Sequence, residues 1–308
     1  VYGPHLRYFL CRVPGKATVM LHCNSKTRSR SRYALRNRWP YPAGKIMATA
    51  DQLEAYSTEL YEALRARKTI VPLSTRSPEL TIDDAYKISL GFLRKRLADG
   101  EKIVGKKIGV TSKPVQDMLN VRQPDFGFLT GVMEIPDGGT AVIADGLIQP
   151  RAEAEIAFRL KSDLKGPGIS MRDVLDATDY IMPCFEIVDS RIADWKIKIA
   201  DTVADNASCG VFVLGTAHAD PHDFDLAALK VTVTKNGAPL SEGYGSAVQG
   251  SPLAAIAWLA NTLGPYGVTL NAGDIVLSGS LVPLEPARPG DIFTMDLSGV
   301  GATSIRFA

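Results

Sequence analysis

The chain has 308 residues, 45% of them apolar, 22% charged and 7% aromatic, with 27 Gly and 19 Pro. These are globular proportions for one large or two small domains, and they exclude collagenous, disordered and disulfide-dense architectures. The formal net charge is +2, yet residues 1–46 hold ten Lys or Arg and no acid, so the rest of the chain carries the difference, −8; so acidic a body argues against a nucleic-acid-binding surface.

The Arg/Ser-rich segment 1–46 lacks periodic apolar positions and ends abruptly at Met47. It reads as a disordered basic extension upstream of a natural start at Met47, against two rivals: a transit peptide and a basic arm for nucleic acid or anionic lipid. Deleting residues 1–46 is expected to leave activity intact, checked by comparing turnover of the full and shortened chains. From there, Leu53, Tyr56, Leu60 and Leu64 predict an amphipathic helix to about Lys68. Thr81 as N-cap, Asp84 three residues on and Gly100 as terminator predict a second, with Ala85, Ile88 and Phe92 buried. Residues 47–100 thus read as a helical N-terminal lobe, and residues 101–308 as a β-rich catalytic domain.

After Gly100 the texture turns to β. Residues 102–110, 152–160 and 181–188 read as strands, and Asn236-Gly237 between 231–234 and 239–241 signals a hairpin. Short strands at 275–277, 292–297 and 303–307 follow, with helices at about 171–179, capped by Ser170, and 253–263. No 20–50-residue period recurs, and the fold class is α+β with a mixed or antiparallel β body. The apolar stretches 209–214 and 253–260 fall far short of the roughly 18 residues a membrane helix needs, so no membrane partner is expected. Four scattered cysteines (Cys11, Cys23, Cys184, Cys209) make neither a disulfide framework nor a zinc site and suit a reducing cytoplasm.

Strict alternation over 152–160 puts Ala152, Ala154, Ile156, Phe158 and Leu160 on one face and Glu153, Glu155, Ala157 and Arg159 on the other. Carboxylates two apart on a strand have Cα atoms about 6.5–7 Å apart and point the same way. They repel unless a proton or cation lies between them. A hard divalent ion fits all-oxygen ligation, but a strand with one wet face accommodates two solvated Glu equally well. Glu186, amid Phe185, Ile187 and Val188, is a third acid that is costly unless paired or metal-bound. Asp189, Asp194, Asp201 and Asp205 follow closely, so acids alone do not single it out.

The segments GKKIGVTS (105–112), QPDFGFL (123–129), IQPRAEAEIAF (148–158), CFEIVDSRIADW (184–195) and DTVADNASCG (201–210) resemble the 2-keto-4-pentenoate (2-hydroxypenta-2,4-dienoate) hydratase family of the fumarylacetoacetase-like superfamily. The resemblance runs from about Met47 to Ala308. It implies a mixed β-roll body with a helical N-terminal lobe. It also implies one Mg²⁺ or Mn²⁺ on Glu153, Glu155 and Glu186, catalytic roles for Lys107 and Asp125, and Ser208 close to the substrate carboxylate. Without the resemblance, Lys107 would pass as an exposed strand lysine and Asp125, after Pro124, as a turn residue.

The implied reaction is hydration of a small 2-hydroxydienoic (2-oxo) acid to 4-hydroxy-2-oxopentanoate in aromatic meta-cleavage catabolism. The metal stabilises an enolate, and separate groups handle the carbon-bound proton and the water; which of Lys107 and Asp125 does which stays open. A lysine pKa depressed by burial near a cation would suit proton transfer. Implied partners are further copies of the chain, and a sister decarboxylase or downstream aldolase.

The nearest alternative is a 2-oxo-3-hexenedioate (4-oxalocrotonate) decarboxylase, whose dicarboxylate substrate needs an extra cation at the far end of the pocket. A non-catalytic partner subunit is the alternative of another class. A C–C hydrolase using a His–Glu pair is disfavoured because the body has only His218 and His222, read as solvated loop residues. The P-loop-like run 100–106 has Lys107 where Ser or Thr belongs, and the stretch 243–250 lacks nucleophile-elbow spacing. Cys184 and Cys209 read as small core residues.

Overall fold

A computed structural model describes residues 48–308; the basic segment 1–46, and what the sequence suggests for it, lie outside the described residues. Thr49 starts helix α1 (Ala50–Ala66) by accepting the Gln52 amide, and Arg67, left-handed at φ 53°, ends it. A single turn, α2 (Leu73–Arg76), leads to α3 (Ile82–Ala98), opened by a reciprocal capping box between Thr81 and Asp84. The apolar stripes of α1 and α3 close on Leu73 and on Ile192, Val203 and Ala204, which come from much later in the chain. The helices therefore share their core with the loop and helix that carry part of the site.

The remaining helices are short: α4 (Lys113–Met118), α5 (Ile143–Gly146), α6 (Met171–Ala177) and α7 (Ile199–Ala204), then the twelve-residue α8 (Pro252–Leu263). Among the described residues no helix is long and apolar enough to cross a membrane.

Among the described residues thirteen strands form two sheets. In chain order they are β1 (Ile103–Gly109), β2 (Asp125–Thr130), β3 (Glu134–Ile135), β4 (Thr140–Ala141), β5 (Arg151–Leu160), β6 (Thr178–Val188) and β7 (Cys209–Leu214). β8 (Lys230–Lys235), β9 (Ala238–Tyr244), β10 (Ile275–Leu277), β11 (Glu285–Pro286), β12 (Ile292–Leu297) and β13 (Gly301–Phe307) follow. The larger sheet runs β2-β1-β10-β5-β6-β7-β3, with β11 on the flank of β5; the smaller runs β4-β13-β12-β8-β9. Both are mixed, since β1–β10, β3–β7 and β4–β13 pair parallel and the others antiparallel. Asn236 and Gly237, at φ 54° and 80°, make the tight turn between β8 and β9, as the dipeptide predicts.

Alternation on β5 decides which face meets the other sheet. Ala152, Ala154, Ile156 and Phe158 join Ile181, Phe185 and Ile187 of β6 and pack on Val231, Phe293, Met295 and Ile305 of the smaller sheet. Phe185 and Phe293 meet edge-to-face across this layer, centroids 6.3 Å apart. The opposite face has a smaller apolar floor of Leu129, Ala157, Met182, Cys184, Phe212 and Leu277, and beside it lie the acidic side chains.

Candidate active site

The register of β5 and β6 builds the acidic cluster. Glu153 pairs directly with Glu186 and Glu155 with Cys184, so Glu153, Glu155 and Glu186 emerge on one face. One carboxylate oxygen from each lies within 4.8 Å of the others. Glu155 and Glu186 have no solvent exposure, whereas Glu153 is half-buried at the rim. The face is thus not the wet face that alternation alone allowed. Glu155 Oε2 accepts the Gly279 amide at 2.8 Å, while Glu155 Oε1 and Glu186 Oε2 have no hydrogen-bond partner among the described residues. Burial, then Glu186, pushes the carboxyl of Glu153 up to about 8; the same two causes raise Glu155 well above the carboxylate range.

Lys107 and Asp125 come from the neighbouring strands. Lys107 projects from β1 onto the same face, 2% exposed at the side chain, with Nζ 3.0 Å from Glu186 Oε1. Burial works against its ammonium, but Glu186 and Asp125 outweigh it and hold its pKa above that of ordinary lysine. The sequence expectation of a depressed lysine concerns burial beside a bound cation; the carboxylates by themselves favour the protonated form. Asp125 opens β2 rather than sitting in a turn, and is buried; burial raises its pKa against the opposing effect of Lys107.

Its strand partner is Gly109, and that pairing makes room for the carboxylate. A Cβ on Gly109 would sit 2.4 Å from Asp125 Oδ1 and 3.2 Å from Lys107 Nζ. Gly109→Ala is therefore expected to displace the Asp125 carboxylate and lower turnover about 10–100-fold, since ångström-scale misplacement of a reacting group costs that much. The melting temperature should move little, because the clash is with the end of a flexible side chain; parallel kcat and Tm measurements test this.

Ser208 reaches the same place through an unusual backbone. Asn206, Ala207 and Ser208 are all left-handed, at φ 56°, 51° and 52°, a conformation held only where surroundings over-determine it. Two side chains do so. Asn206 pairs like a strand with β2, accepting from the Phe128 amide at 2.8 Å and donating to its carbonyl at 3.0 Å. Arg191 donates to the carbonyls of Asp205 at 2.7 Å and Cys209 at 3.0 Å while its Nε engages the Asp205 carboxylate. The Ser208 hydroxyl then lies 3.3 Å from Thr202 Oγ1, which donates to Asp125 Oδ2 at 3.3 Å.

Thr202, Asn206, Arg191 and Gly109 were not singled out from sequence. Their one signal is that each falls inside a motif quoted above, and their roles need the partners that only folding supplies. Cys184 and Cys209 are buried free thiols. Burial, then the nearby carboxylates, pushes both pKa values well up, which leaves no thiolate for nucleophilic chemistry. His222 sits at the surface against Asp220 and Asp176, and His218 stacks on Tyr180, both away from the cluster. The P-loop-like run continues into strand β1, with no phosphate-cradling loop at Lys106 and Lys107.

The donor set fits a hard divalent cation. Three carboxylates converge, and two of their buried oxygens lack partners; leaving such oxygens unpaired costs more than the roughly 1–3 kcal/mol of a neutral group. Next to the cluster, Thr111 packs against Gly279 and opens a cavity of about 410 Å³ lined also by Arg122, Gln123, Gln249 and Trp258.

Residues 101–308 match the family described as Fumarylacetoacetate (FAA) hydrolase C-terminal, which sets the class of the fold. The chain is 61% identical over 262 residues to a 2-hydroxyhexa-2,4-dienoate hydratase of Comamonas testosteroni, covering 85% of this chain and 99% of that one. It is 43% identical over 259 residues to a 2-keto-4-pentenoate hydratase of Paraburkholderia xenovorans strain LB400, covering 84% and 96%. A solved structure of 4-oxalocrotonate decarboxylase from Pseudomonas putida G7, complexed with magnesium and adipate, superposes with a TM-score of 0.82 at 37% identity, covering 85% and 99%. The chain belongs to the 2-keto-4-pentenoate hydratase family, a family of hydro-lyases with the α+β fold of the fumarylacetoacetate hydrolases.

Proposed function

We propose that this chain is a divalent-metal-dependent hydratase that adds water to 2-hydroxypenta-2,4-dienoate, or a homologue with one more carbon, giving 4-hydroxy-2-oxopentanoate or its longer counterpart in aromatic catabolism. The observation that carries this reading is the convergence of Glu153, Glu155 and Glu186 beside Lys107. These three glutamates would hold Mg²⁺ or Mn²⁺, which when bound supplies Lewis acidity toward the carboxylate and 2-oxygen of a 2-oxo acid. Lys107 holds a full positive charge beside the oxygen on which enolate charge develops. Asp125 Oδ1, buried and without a hydrogen-bond partner among the described residues, exchanges the proton with carbon or water. Ser208 and Thr202 keep Asp125 oriented, with Ser208 offering its hydroxyl to the substrate carboxylate. In this reading the helical residues up to 100 form a lobe that packs on Ile192, Val203 and Ala204 of the catalytic part, 101–308.

The test supplies enzymatically generated 2-hydroxypenta-2,4-dienoate with Mg²⁺ or Mn²⁺, follows loss of dienol absorbance and identifies the product. Removing metal with a chelator should abolish turnover, and readdition should restore it. Unchanged turnover in the chelated protein would remove metal from the reaction.

One observation favours decarboxylation of 2-oxo-3-hexenedioate as a second reading. Lys113 and Arg122, both paired with Asp117, flank the cavity beyond Thr111 and offer cations to a distal carboxylate. Carbon dioxide release from that substrate, assayed in parallel, separates the two, and turnover of neither leaves a non-catalytic partner subunit. Assembly into a homo-oligomer or with a sister decarboxylase or aldolase, and a cytoplasmic location, belong to the same proposal; light scattering of the purified chain tests the first.

A further inference from the structure

Arg151 differs from the other basic side chains of this region. It lies on β5 two residues before Glu153, half-buried and on the same strand face as Glu153 and Glu155. Its guanidinium stacks on the Trp195 ring, 4.6 Å from the centroid. The indole is itself fixed, because Trp195 Nε1 donates to the Gln149 carbonyl at 3.0 Å. Asp194 and Trp195 are both left-handed, at φ 57° and 54°, and such non-glycine conformations cost about 1–3 kcal/mol each unless the surroundings impose them.

Among the described residues the buried cations around the site are spoken for: Lys106 by Asp274, Lys107 by Glu186 and Arg191 by Asp205. The Arg151 guanidinium has no carboxylate or hydrogen-bond partner among the described residues.

Charge balance gives this lone cation a purpose. Among the described residues Glu153, Glu155, Glu186 and Asp125 face a single ammonium, that of Lys107. A divalent ion would still leave one negative charge in excess. An incoming 2-oxo acid brings another, so the cluster repels the anion it must accept unless a further cation lies close to it; Lys113 and Arg122, at the cavity beyond Thr111, are exposed and already paired with Asp117. Arginine suits that position, because its fork matches a carboxylate with two parallel hydrogen bonds, and stacking on an indole pre-orients it without using its donors.

We propose that Arg151, presented by Trp195 on the strand face that bears Glu153 and Glu155, is a specificity residue that shares the carboxylate of the anionic 2-oxo acid substrate with Ser208. The proposal rests on the reading of the cluster as a 2-oxo acid site, and the experiment keeps the two apart by measuring binding without turnover. Calorimetric titration of the Mn²⁺-loaded full chain with 2-oxopentanoate, a saturated and unreactive analogue, is compared for the parent, Arg151→Met, Arg151→Lys and Trp195→Leu. Mn²⁺ binding is measured alone by electron paramagnetic resonance.

Arg151→Met should raise the Kd for 2-oxopentanoate about 10–100-fold, as loss of a charge-assisted pair does. Arg151→Lys, which keeps charge but not the fork, should fall between, and Trp195→Leu should give a smaller rise. The affinity for Mn²⁺ should stay within about twofold throughout, and the salt dependence of analogue binding should flatten in Arg151→Met.

Parent-like analogue binding by Arg151→Met overturns the proposal, as does a loss of Mn²⁺ in step with the analogue or a parent chain that does not bind 2-oxopentanoate. Hydration of the dienoate by the parent in any of these cases leaves the hydratase reading standing. Arg151-dependent analogue binding without hydration supports the proposal and removes that reading.

Discussion

Glu155→Gln is expected to eliminate tight metal binding and at least about a thousandfold of turnover, the scale on which loss of preorganised transition-state charge stabilisation is felt, while the metal-free protein keeps or gains stability. Glu155 has no solvent exposure, and its Oε1 makes no hydrogen bond among the described residues. The side chain therefore contributes to folding only through Oε2 and the Gly279 amide, and a Gln carbonyl retains that bond. What the substitution removes is a buried charge crowded by Glu186 and Glu153, the arrangement that holds its pKa well above the carboxylate range. Relief of such crowding commonly yields about 0.5–2 kcal/mol, or a few degrees of Tm in a chain of this size.

Glu186→Gln should lose turnover to a similar degree but without the gain, because Glu186 is also the ion-pair partner of Lys107. Removing it leaves a buried ammonium with less compensation. Metal titration, turnover and melting of the two variants side by side check this. Full activity in either removes that residue from the site, and a large loss of stability in Glu155→Gln would show the cluster to be structural.

Arg191→Met is expected to cost about 3–5 kcal/mol of folding stability, the scale for removing one partner of a buried pair. Arg191 is among the largest fully buried side chains; it satisfies Asp205 and two main-chain carbonyls that methionine cannot. The loss should depend on pH with a definite sign. Burial pushes Asp205 up to about 6 against the pull of Arg191, above its ordinary 3.8. The folded chain therefore takes up a proton at Asp205 as pH falls through about 6, before the unfolded chain does, so this group penalises the fold above pH 6 and ceases to do so as the solution is acidified.

Without Arg191 the carboxylate has no counter-charge, and the penalty above pH 6 grows. The gap between parent and variant should thus be widest at pH 7–8 and shrink toward pH 5, where Asp205 is neutral in both. Denaturant titrations across that range read the gap directly, and a pH-independent difference would show that packing rather than charge dominates. Because Arg191 also ties down the left-handed turn bearing Ser208, residual folded protein should bind substrate poorly.

Local periodicity carries what could be read from the chain alone. Alternation along β5 separates Ala154 and Ile156 from Glu153 and Glu155 without knowledge of any neighbour, because a strand's side chains alternate by geometry. Asn236-Gly237 and the Thr81–Asp84 box are likewise complete within a few residues. The joining of Glu186 to Glu153 was open at that level, since four other acids follow within twenty residues and only the β5–β6 register selects one.

Asp125 reads as a turn residue after Pro124, yet it is a buried strand residue, because β1 offers it a glycine across the ladder. Lys107 reads as an exposed strand lysine without the family likeness; the fold buries it among carboxylates brought from 18 to 79 residues away, and they favour its protonated form. Residue types and their local spacing therefore determined the face, the acids and the family likeness. Burial, charge compensation and the clamps of Asn206 and Arg191 were decided by tertiary structure, because each depends on distances between segments far apart in the chain.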